Sequence, residues 1–280
     1  MKNYILLREA KVVFSLGQYD LVLDTTKSVT LSSNNNISSV PRKTLFTRSP
    51  LSHIIHHSPS PSTGTIECYL TKGFKEAILF TLLGMDVSST SATLPDSVPT
   101  NPLTGFIKIM SKNTTIILGN VVVTGLSFGM QKGFAGDISI NFEGVPLEAI
   151  PVRESVITNT QEAHLLPGPL TMKVADQLIS PVSAMVSIQQ NVEWLRGDTV
   201  MFKALPKPII TGMSFGMTTT HYYSGTPLDS EFGNVNVSQC GIGVQIQNAS
   251  ITRRLNVEDI LQYSCDIQPT DFSPIITFNL

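Results

Sequence analysis

Alternation of apolar and polar residues with a period of two dominates the chain. The pattern is clearest in segments 19–24, 137–142, 184–194, 244–247 and 275–280. Such alternation gives a strand one buried face and one polar face, which is typical of antiparallel sheets that close or stack on themselves. We therefore predict an all-β protein of two antiparallel β-barrel or sandwich domains, with one or two short helices.

Two short segments carry helical signals. In 73–83, apolar residues recur at helical spacing, and Gly84 follows as a typical stop residue. A second short helix is predicted over 256–263, because Asn256 is a favourable N-cap and Glu258 would lie in the first turn.

Composition also suggests connecting segments. Segments 49–64 and 86–102 are rich in Pro, Ser and Thr, and we predict that they are long loops that contact neighbouring subunits or rings. Segment 159–180 is predicted to be a linker. It would separate a first domain, residues 1–158, from a second domain, residues 181–280.

An internal repeat supports two related domains. Residues 123–130 read VTGLSFGM, and residues 210–217 read ITGMSFGM. A duplicated strand unit implies that two parts of the chain pack in related ways. The first copy lies late in its half and the second lies early, so either the first half contains an insertion or the two halves differ in topology.

The chain is poor in charge. It has 280 residues, of which 41% are hydrophobic and 14% charged, and its formal net charge is -2. Soluble domains usually carry about 25% charged residues. The composition excludes a disordered chain and a nucleic-acid binder that depends on net positive charge. A surface of neutral polar residues suits a protein that is largely covered by copies of itself.

Cysteine spacing gives no evidence of a metal site or a disulfide framework. Cys68, Cys240 and Cys265 are far apart, and we interpret them as reduced cytosolic thiols. The uncharged stretch 113–131 is rich in Thr, Gly and β-branched residues, so we predict paired strands there and not a membrane span.

Two motifs resemble sites but are better explained as structure. His53, His56 and His57 would have metal-binding spacing on a helix, but the flanking prolines favour a loop. Ser127 and Ser214 each lie in a Gly-x-Ser-x-Gly string, but their flanks resemble strands and not the strand-to-helix turn that a nucleophile needs.

The other candidates are weaker still. His164 and His221 are isolated in the sequence, and the Arg-Gly-Asp tripeptide at 196–198 is predicted to form a tight turn. We therefore predict no catalytic, cofactor-binding or metal-binding residues, no cofactor and no enzyme activity.

The order of segments in the first half resembles the bacteriophage tail tube protein family. Segment 63–70 leads into the predicted helix, and the strand segments 106–109, 121–128 and 136–144 follow. The resemblance covers residues 11–147. The second half shares the repeat but lacks an obvious helix before it, which departs from the family pattern.

The resemblance implies a structural virion protein of the phage tail, assembled in the host cytoplasm. It implies closed rings, either trimers with pseudo-sixfold symmetry or hexamers, that form the tail tube or its baseplate-proximal end. Its partners would be neighbouring tail rings, the tape measure and baseplate proteins, with no membrane. DNA would pass without specific binding. A baseplate hub or tail terminator stays open, as does a soluble β-rich binding module or a membrane barrel.

Overall fold

The structure is a computed structural model. It describes residues 11–16, 19–23, 26–32, 37–41, 53–57, 61–71, 77–95, 97, 102–110, 115–146, 168–175, 177–195, 207–223, 232–257, 261–270 and 274–278. These residues form nineteen strands and one short helix, so the protein is all-β, as the alternation predicts. Every strand pairing among them is antiparallel.

In chain order the elements are β1 (Lys11–Leu16), β2 (Tyr19–Leu23), β3 (Thr26–Ser32), β4 (Ile37–Pro41), β5 (His53–His57), β6 (Ser62–Tyr69), α1 (Ile78–Leu82), β7 (Asp86–Val87), β8 (Ser91–Thr93), β9 (Gly105–Met110), β10 (Thr115–Gln131), β11 (Asp137–Pro146), β12 (Thr171–Val174), β13 (Gln177–Ile179), β14 (Ser183–Leu195), β15 (Lys207–Tyr222), β16 (Phe232–Gln239), β17 (Ile242–Val257), β18 (Leu261–Pro269) and β19 (Ile275–Phe278).

Two sets of seven strands have the same pairing order. The first set is ordered β2–β1–β9–β10–β11–β6–β3. The second set is ordered β13–β12–β16–β17–β18–β15–β14. Each strand of the first set therefore has a counterpart at the same place, in both chain order and sheet order, in the second.

The counterpart strands β10 and β17 share an irregularity. Asn120 in β10 and Asn248 in β17 both have φ of 49°. This left-handed conformation is tolerated by Asn better than by most residues. At each of these residues the pairing with the preceding strand shifts its register. The two long strands therefore bend at corresponding places.

One strand pairing connects the two sets directly, because residues 125–131 of β10 pair with residues 183–189 of β14. This connection produces a continuous eight-stranded sheet in the order β3–β6–β11–β10–β14–β15–β18–β17. Strand β8 belongs to neither set; it pairs with β19, which in turn pairs with β17 of the second set.

One face of this eight-stranded sheet forms the core. The side chains of one transverse row are all buried and apolar: Cys68, Ile138, Phe128, Val186, Met217, Ile267 and Ile251. Helix α1 packs on the same side, where the Phe80 ring meets the Phe128 ring edge to face at 6.2 Å between centroids. Burial of each large apolar side chain stabilises the fold by roughly 1.5–3 kcal/mol.

The helix predictions have different outcomes. Helix α1 lies within the predicted segment 73–83, but residues 72–76 are outside the described part. The predicted helix over 256–263 is wrong, because β17 ends at Val257 and β18 begins at Leu261 as its antiparallel partner. Asn256 lies within β17 opposite Gln262, so pairing across the two strands overrides the local N-cap signal.

The composition-based loops and linker are also partly wrong. Strand β5 and the start of β6 lie within 49–64, and β7 and β8 lie within 86–102. Strands β12 and β13 lie within the predicted linker 159–180. These strands are short or rich in Ser and Thr, so they show little apolar alternation. Ala92 of β8 is fully buried, and this segment is therefore part of the sheet and not only a contact loop.

The sequence repeat lies on strands that are not counterparts. Its copies are in β10 and β15, whereas the counterpart of β10 is β17 and that of β15 is β6. The copies instead flank β14, where Val186 is opposite Phe128 on one side and Met217 on the other. The matching pairing order is therefore independent of the repeat, and the domain bounds predicted from the sequence stay a prediction.

Candidate assembly surfaces

The second face of the eight-stranded sheet is polar and faces solvent. Three transverse rows run across the strands. The first row is Thr30, Thr65, Asn141, Gly125, Gln189 and Ser214; the second is Ser28, Glu67, Ser139, Ser127, Ser187 and Gly216; the third is Tyr69, Asp137, Gly129, Met185, Thr218, Asp266 and Thr252. We call these rows the polar face. At about 4.8 Å per strand, seven strands make it about 30 Å wide.

The polar face carries few charges, and its basic neighbours are paired. The Lys27 ammonium lies 2.8 Å from Asp137 Oδ2 and 4.1 Å from the centre of the Tyr69 ring. The Arg254 guanidinium, on the row beside the third, lies 3.1 Å from Asp266 Oδ2. Glu67 accepts a hydrogen bond from the Ser28 hydroxyl at 3.0 Å. The described part of this face therefore presents no cation that lacks a carboxylate partner.

The eight-stranded sheet has an open edge at each end. Within the described residues, no strand pairs with the outer edge of β3, nor with residues 254–257 of β17 on the side opposite β18. Large apolar side chains are exposed at both ends: Leu31 is 40% exposed and Leu255 is 58% exposed. Open edges with exposed apolar side chains favour pairing with another chain.

An open groove of about 270 Å³ lies beside the β3 edge and is lined by residues of β3, β6, β10 and β11. Its wall contains Glu143, whose Oε2 accepts a hydrogen bond from Trp194 Nε1 at 2.5 Å. The other residues that line it are mainly Thr, Ser, Gly and Asn. Glu143 is the one titratable group in this lining, so the groove does not combine the acid, base or nucleophile that catalysis would need.

The serine candidates are not part of a catalytic arrangement. Ser127 and Ser214 lie on the polar face, each within a long strand. His221 lies on the same strand as Ser214, but its side chain is buried on the opposite face of the sheet. There the Thr219 hydroxyl lies 2.8 Å from His221 Nε2, and the ring stacks on Tyr263 at 4.8 Å between centroids. Burial lowers the pKa of His221 to about 4.

The three neighbouring histidines lie on a strand and not on a helix or in a loop. His53, His56 and His57 belong to strand β5, which pairs with β4, so the helical spacing does not apply and the predicted loop is wrong. Among the residues that the structure describes, no three His, Cys, Asp or Glu side chains lie close enough to hold a metal ion. His164 and the tripeptide 196–198 lie outside the described residues.

Sequence reasoning did not identify the polar face or the two open edges. A signal was nevertheless present, because Ser127, Ser139 and Ser187 each alternate with core residues of their strands. Their alignment into one row depends on the register between distant strands, which alternation within a single strand does not contain.

Comparison with known proteins identifies the class of protein. The model of the bacteriophage baseplate tube protein family matches residues 2–280. The chain therefore belongs to the bacteriophage baseplate tube protein family. It is similar to baseplate tube protein p140 of Escherichia phage T5, with 22% identity over 293 residues that cover 99% of this chain and 97% of that relative.

The family confirms the main functional predictions. The protein has a structural role in the phage tail and baseplate, is a component of the virion tail, and is not an enzyme. It assembles with other tail and baseplate components. No helix in the described part of the chain has the length and apolar character needed to cross a bilayer.

Proposed function

We propose that copies of this protein form a closed ring at the baseplate end of the tail tube, and that the polar face lines the channel through which DNA leaves the virion. The observation that carries this proposal is the polar face itself. It extends over strands of both sets, and its side chains are mostly small and uncharged.

The orientation follows from where the rest of the chain lies. Helix α1 and the buried apolar residues are on the other face of the eight-stranded sheet. If this sheet forms the wall of a narrow channel, the bulk of the chain can only lie outside, which leaves the polar face toward DNA. A channel wall without unpaired cations does not hold the DNA backbone, because proteins bind DNA phosphates mainly through Lys and Arg side chains.

Rings would be assembled in the host cytoplasm and would contact neighbouring tail rings, the tape measure and baseplate proteins. Negative-stain microscopy of the purified protein tests ring formation. We expect annular particles of uniform diameter at high protein concentration. A monomer at every concentration would contradict the proposal and favour the soluble binding module.

Adding positive charge to the polar face tests whether this face lines the DNA channel. We expect phage carrying Gln189→Lys and Thr252→Lys to assemble tails but to eject DNA at least tenfold more slowly, and more slowly still at low salt, because each lysine attracts phosphates. The matched control is Asn236→Lys with Gln247→Lys, two exposed residues outside the polar face. Equal ejection rates for the two double variants would exclude the polar face from the channel.

A further inference from the structure

We propose that the outward face of the first strand set binds a different structural protein of the tail, one that presents apolar side chains together with carboxylates. This face is formed by β2, β1, β9 and the first part of β10. The inference goes beyond the proposed function, and only the direction of the face, toward the exterior of the tube, rests on that function.

The outward face lies across the core from the polar face. In β1, Phe14 points into the core, where its ring meets the Phe142 ring of β11 edge to face at 6.3 Å between centroids. Its neighbour Val13 points away from the core, because successive side chains of a strand alternate between the two faces. Three transverse rows form the outward face: Val22, Val13, Lys108 and Ile117; Lys11, Met110 and Thr115; and Asp20, Ser15 and Phe106.

The outward face is largely apolar, whereas its counterpart in the second set is mostly polar. Phe106 is 47% exposed, and Met110 and Ile117 are partly exposed. The counterpart strands β13, β12, β16 and β17 carry mainly polar side chains at the same places: Leu178, Lys173, Asn236 and Gln245; Thr171, Ser238 and Gly243; and Asn234. Both sets share one pairing order, so strand pairing does not require this apolar surface. Exposed apolar surface of this kind marks sites of interaction.

The two faces are aligned by the bends of their long strands. Ile117 lies three residues before Asn120 in β10, and Gln245 lies three residues before Asn248 in β17. Across the pairing, Lys108 is opposite Ile117 and Asn236 is opposite Gln245. Lys108 and Asn236 therefore occupy corresponding positions, which makes each second-set residue a matched control for its first-set counterpart.

Charge on the outward face indicates an acidic partner. Lys108 lies in the central row, and among the described residues no carboxylate forms an ion pair with its ammonium. Lys11 and Lys108 together with Asp20 give the face a formal charge of +1, in a chain whose net charge is -2. A partner that packs an apolar side chain on Phe106 and places a carboxylate beside Lys108 complements both features of the face.

A second copy of this chain is a poor occupant of the outward face. Three rows on four strands cover about 15 Å by 20 Å, or on the order of 300 Å². Two copies joined through this face would bury only about 600 Å² together, whereas stable interfaces bury about 1,200–2,000 Å². Such a contact would also bring two positively charged faces together. A larger acidic protein can contact this face and the surface around it.

Hydroxyl-radical footprinting tests the contact without any substitution. Phe106 on β9 and Phe232 on β16 are both exposed, at 47% and 65%, on counterpart strands and on their outward sides. We expect both rings to be oxidised in the purified protein, as measured by mass spectrometry of the peptides. In intact virions, oxidation of Phe106 should fall at least fivefold, and oxidation of Phe232 should stay within a factor of two.

Each other result of the footprint overturns the proposal. Equal oxidation of Phe106 in virions and in the purified protein would show that nothing binds the face. Protection of Phe106 already in rings of the purified protein would assign the face to a second copy. Equal protection of Phe106 and Phe232 in virions would remove the difference between the two sets. A purified protein that forms no rings would contradict the proposed function alone, because monomer and virion can still be compared.

Charge reversal tests the chemistry of the partner. We expect phage carrying Lys108→Glu to produce at least tenfold fewer complete tails, because the new carboxylate repels those of the partner. The matched control is Asn236→Glu, which places the same charge at the corresponding position of the second set and should leave the yield close to that of the parent phage.

The purified Lys108→Glu protein should keep the circular dichroism spectrum and the oligomeric state of the parent protein, which separates loss of the partner from loss of the fold. Equal yields of complete tails from the two variants would overturn the proposed partner chemistry. If Lys108→Glu does not fold, the footprint of the unsubstituted chain decides.

Discussion

Strands β10 and β17 occupy the same place in two matching pairing orders, but their edges differ. Residues 125–131 of β10 are covered by β14, and Phe128 is fully buried. Residues 254–257 of β17 have no such cover in the described part of the chain, and Leu255 is 58% exposed. The edge of β10 is therefore covered by a strand of the same molecule, whereas the corresponding edge of β17 is not. This difference is expected of a unit that repeats around a ring.

Truncation of the two side chains should have very different effects on the isolated chain. We expect Phe128→Ala to lower the free energy of unfolding by about 3–5 kcal/mol, because it opens a cavity beneath α1. Leu255→Ala should cost less than about 0.5 kcal/mol in the monomer but should reduce ring formation. Chemical denaturation at protein concentrations too low for ring formation measures the free energy of unfolding of both variants. Similar losses would show that the two positions do not differ in burial.

The second set of strands buries the titratable side chain of His221, and its stability should therefore depend on pH. The pKa of His221 is about 4 in the folded chain, against 6.5 for the free side chain. Below pH 6.5 the unfolded state therefore binds a proton that the folded state does not. The free energy of unfolding should fall by up to about 1.4 kcal/mol per pH unit between pH 6.5 and 4.

The matched variant for this test is His221→Gln, which keeps a nitrogen near Thr219 and removes the titration. Denaturation curves from pH 7 to pH 4 should be flatter for the variant than for the parent protein. An unchanged slope would mean that other groups determine the pH dependence in this range.

Glycines at the same place in the two copies of the repeat should respond differently to alanine. A Cβ on Gly129 would lie 2.6 Å from Asp137 Oδ1, and Lys27 holds that carboxylate. A Cβ on Gly216 would meet nothing within 4 Å. We expect Gly129→Ala to destabilise by about 1–3 kcal/mol and Gly216→Ala to stabilise by about 0.4–1 kcal/mol. Thermal melts in parallel would test this, and equal shifts would contradict it.

Alternation predicted the long strands well because each has one face on the core. It predicted β2, β11, β14 and β19 from single segments of sequence. It did not predict β8 or β12, which are short and owe their conformation to partners far away in sequence. The predicted helix at 256–263 failed for the same reason, since Asn256 and Val257 pair with Gln262 and Leu261 across two strands.

The functional surfaces were harder to predict from the sequence than the fold. The resemblance in the first half led to the correct class, but it did not indicate which surfaces matter. The matching pairing orders could not be read from the repeat, because its two copies lie on strands that are not counterparts. Topological duplication depends on which strands are neighbours, and two distant strands with similar residues can occupy different places in a sheet.

The pairing of β8 with β19 has a mechanical consequence. Strand β8 follows α1, whose Phe80 packs against Phe128 of the first set, and β19 pairs with β17 of the second set. This contact links the two sets indirectly at a second place besides the β10–β14 pairing, and it should restrict their rotation about that pairing. In the proposed ring, the curvature of the wall would then be determined within each molecule, and weakening the β8–β19 contact should yield rings of mixed size.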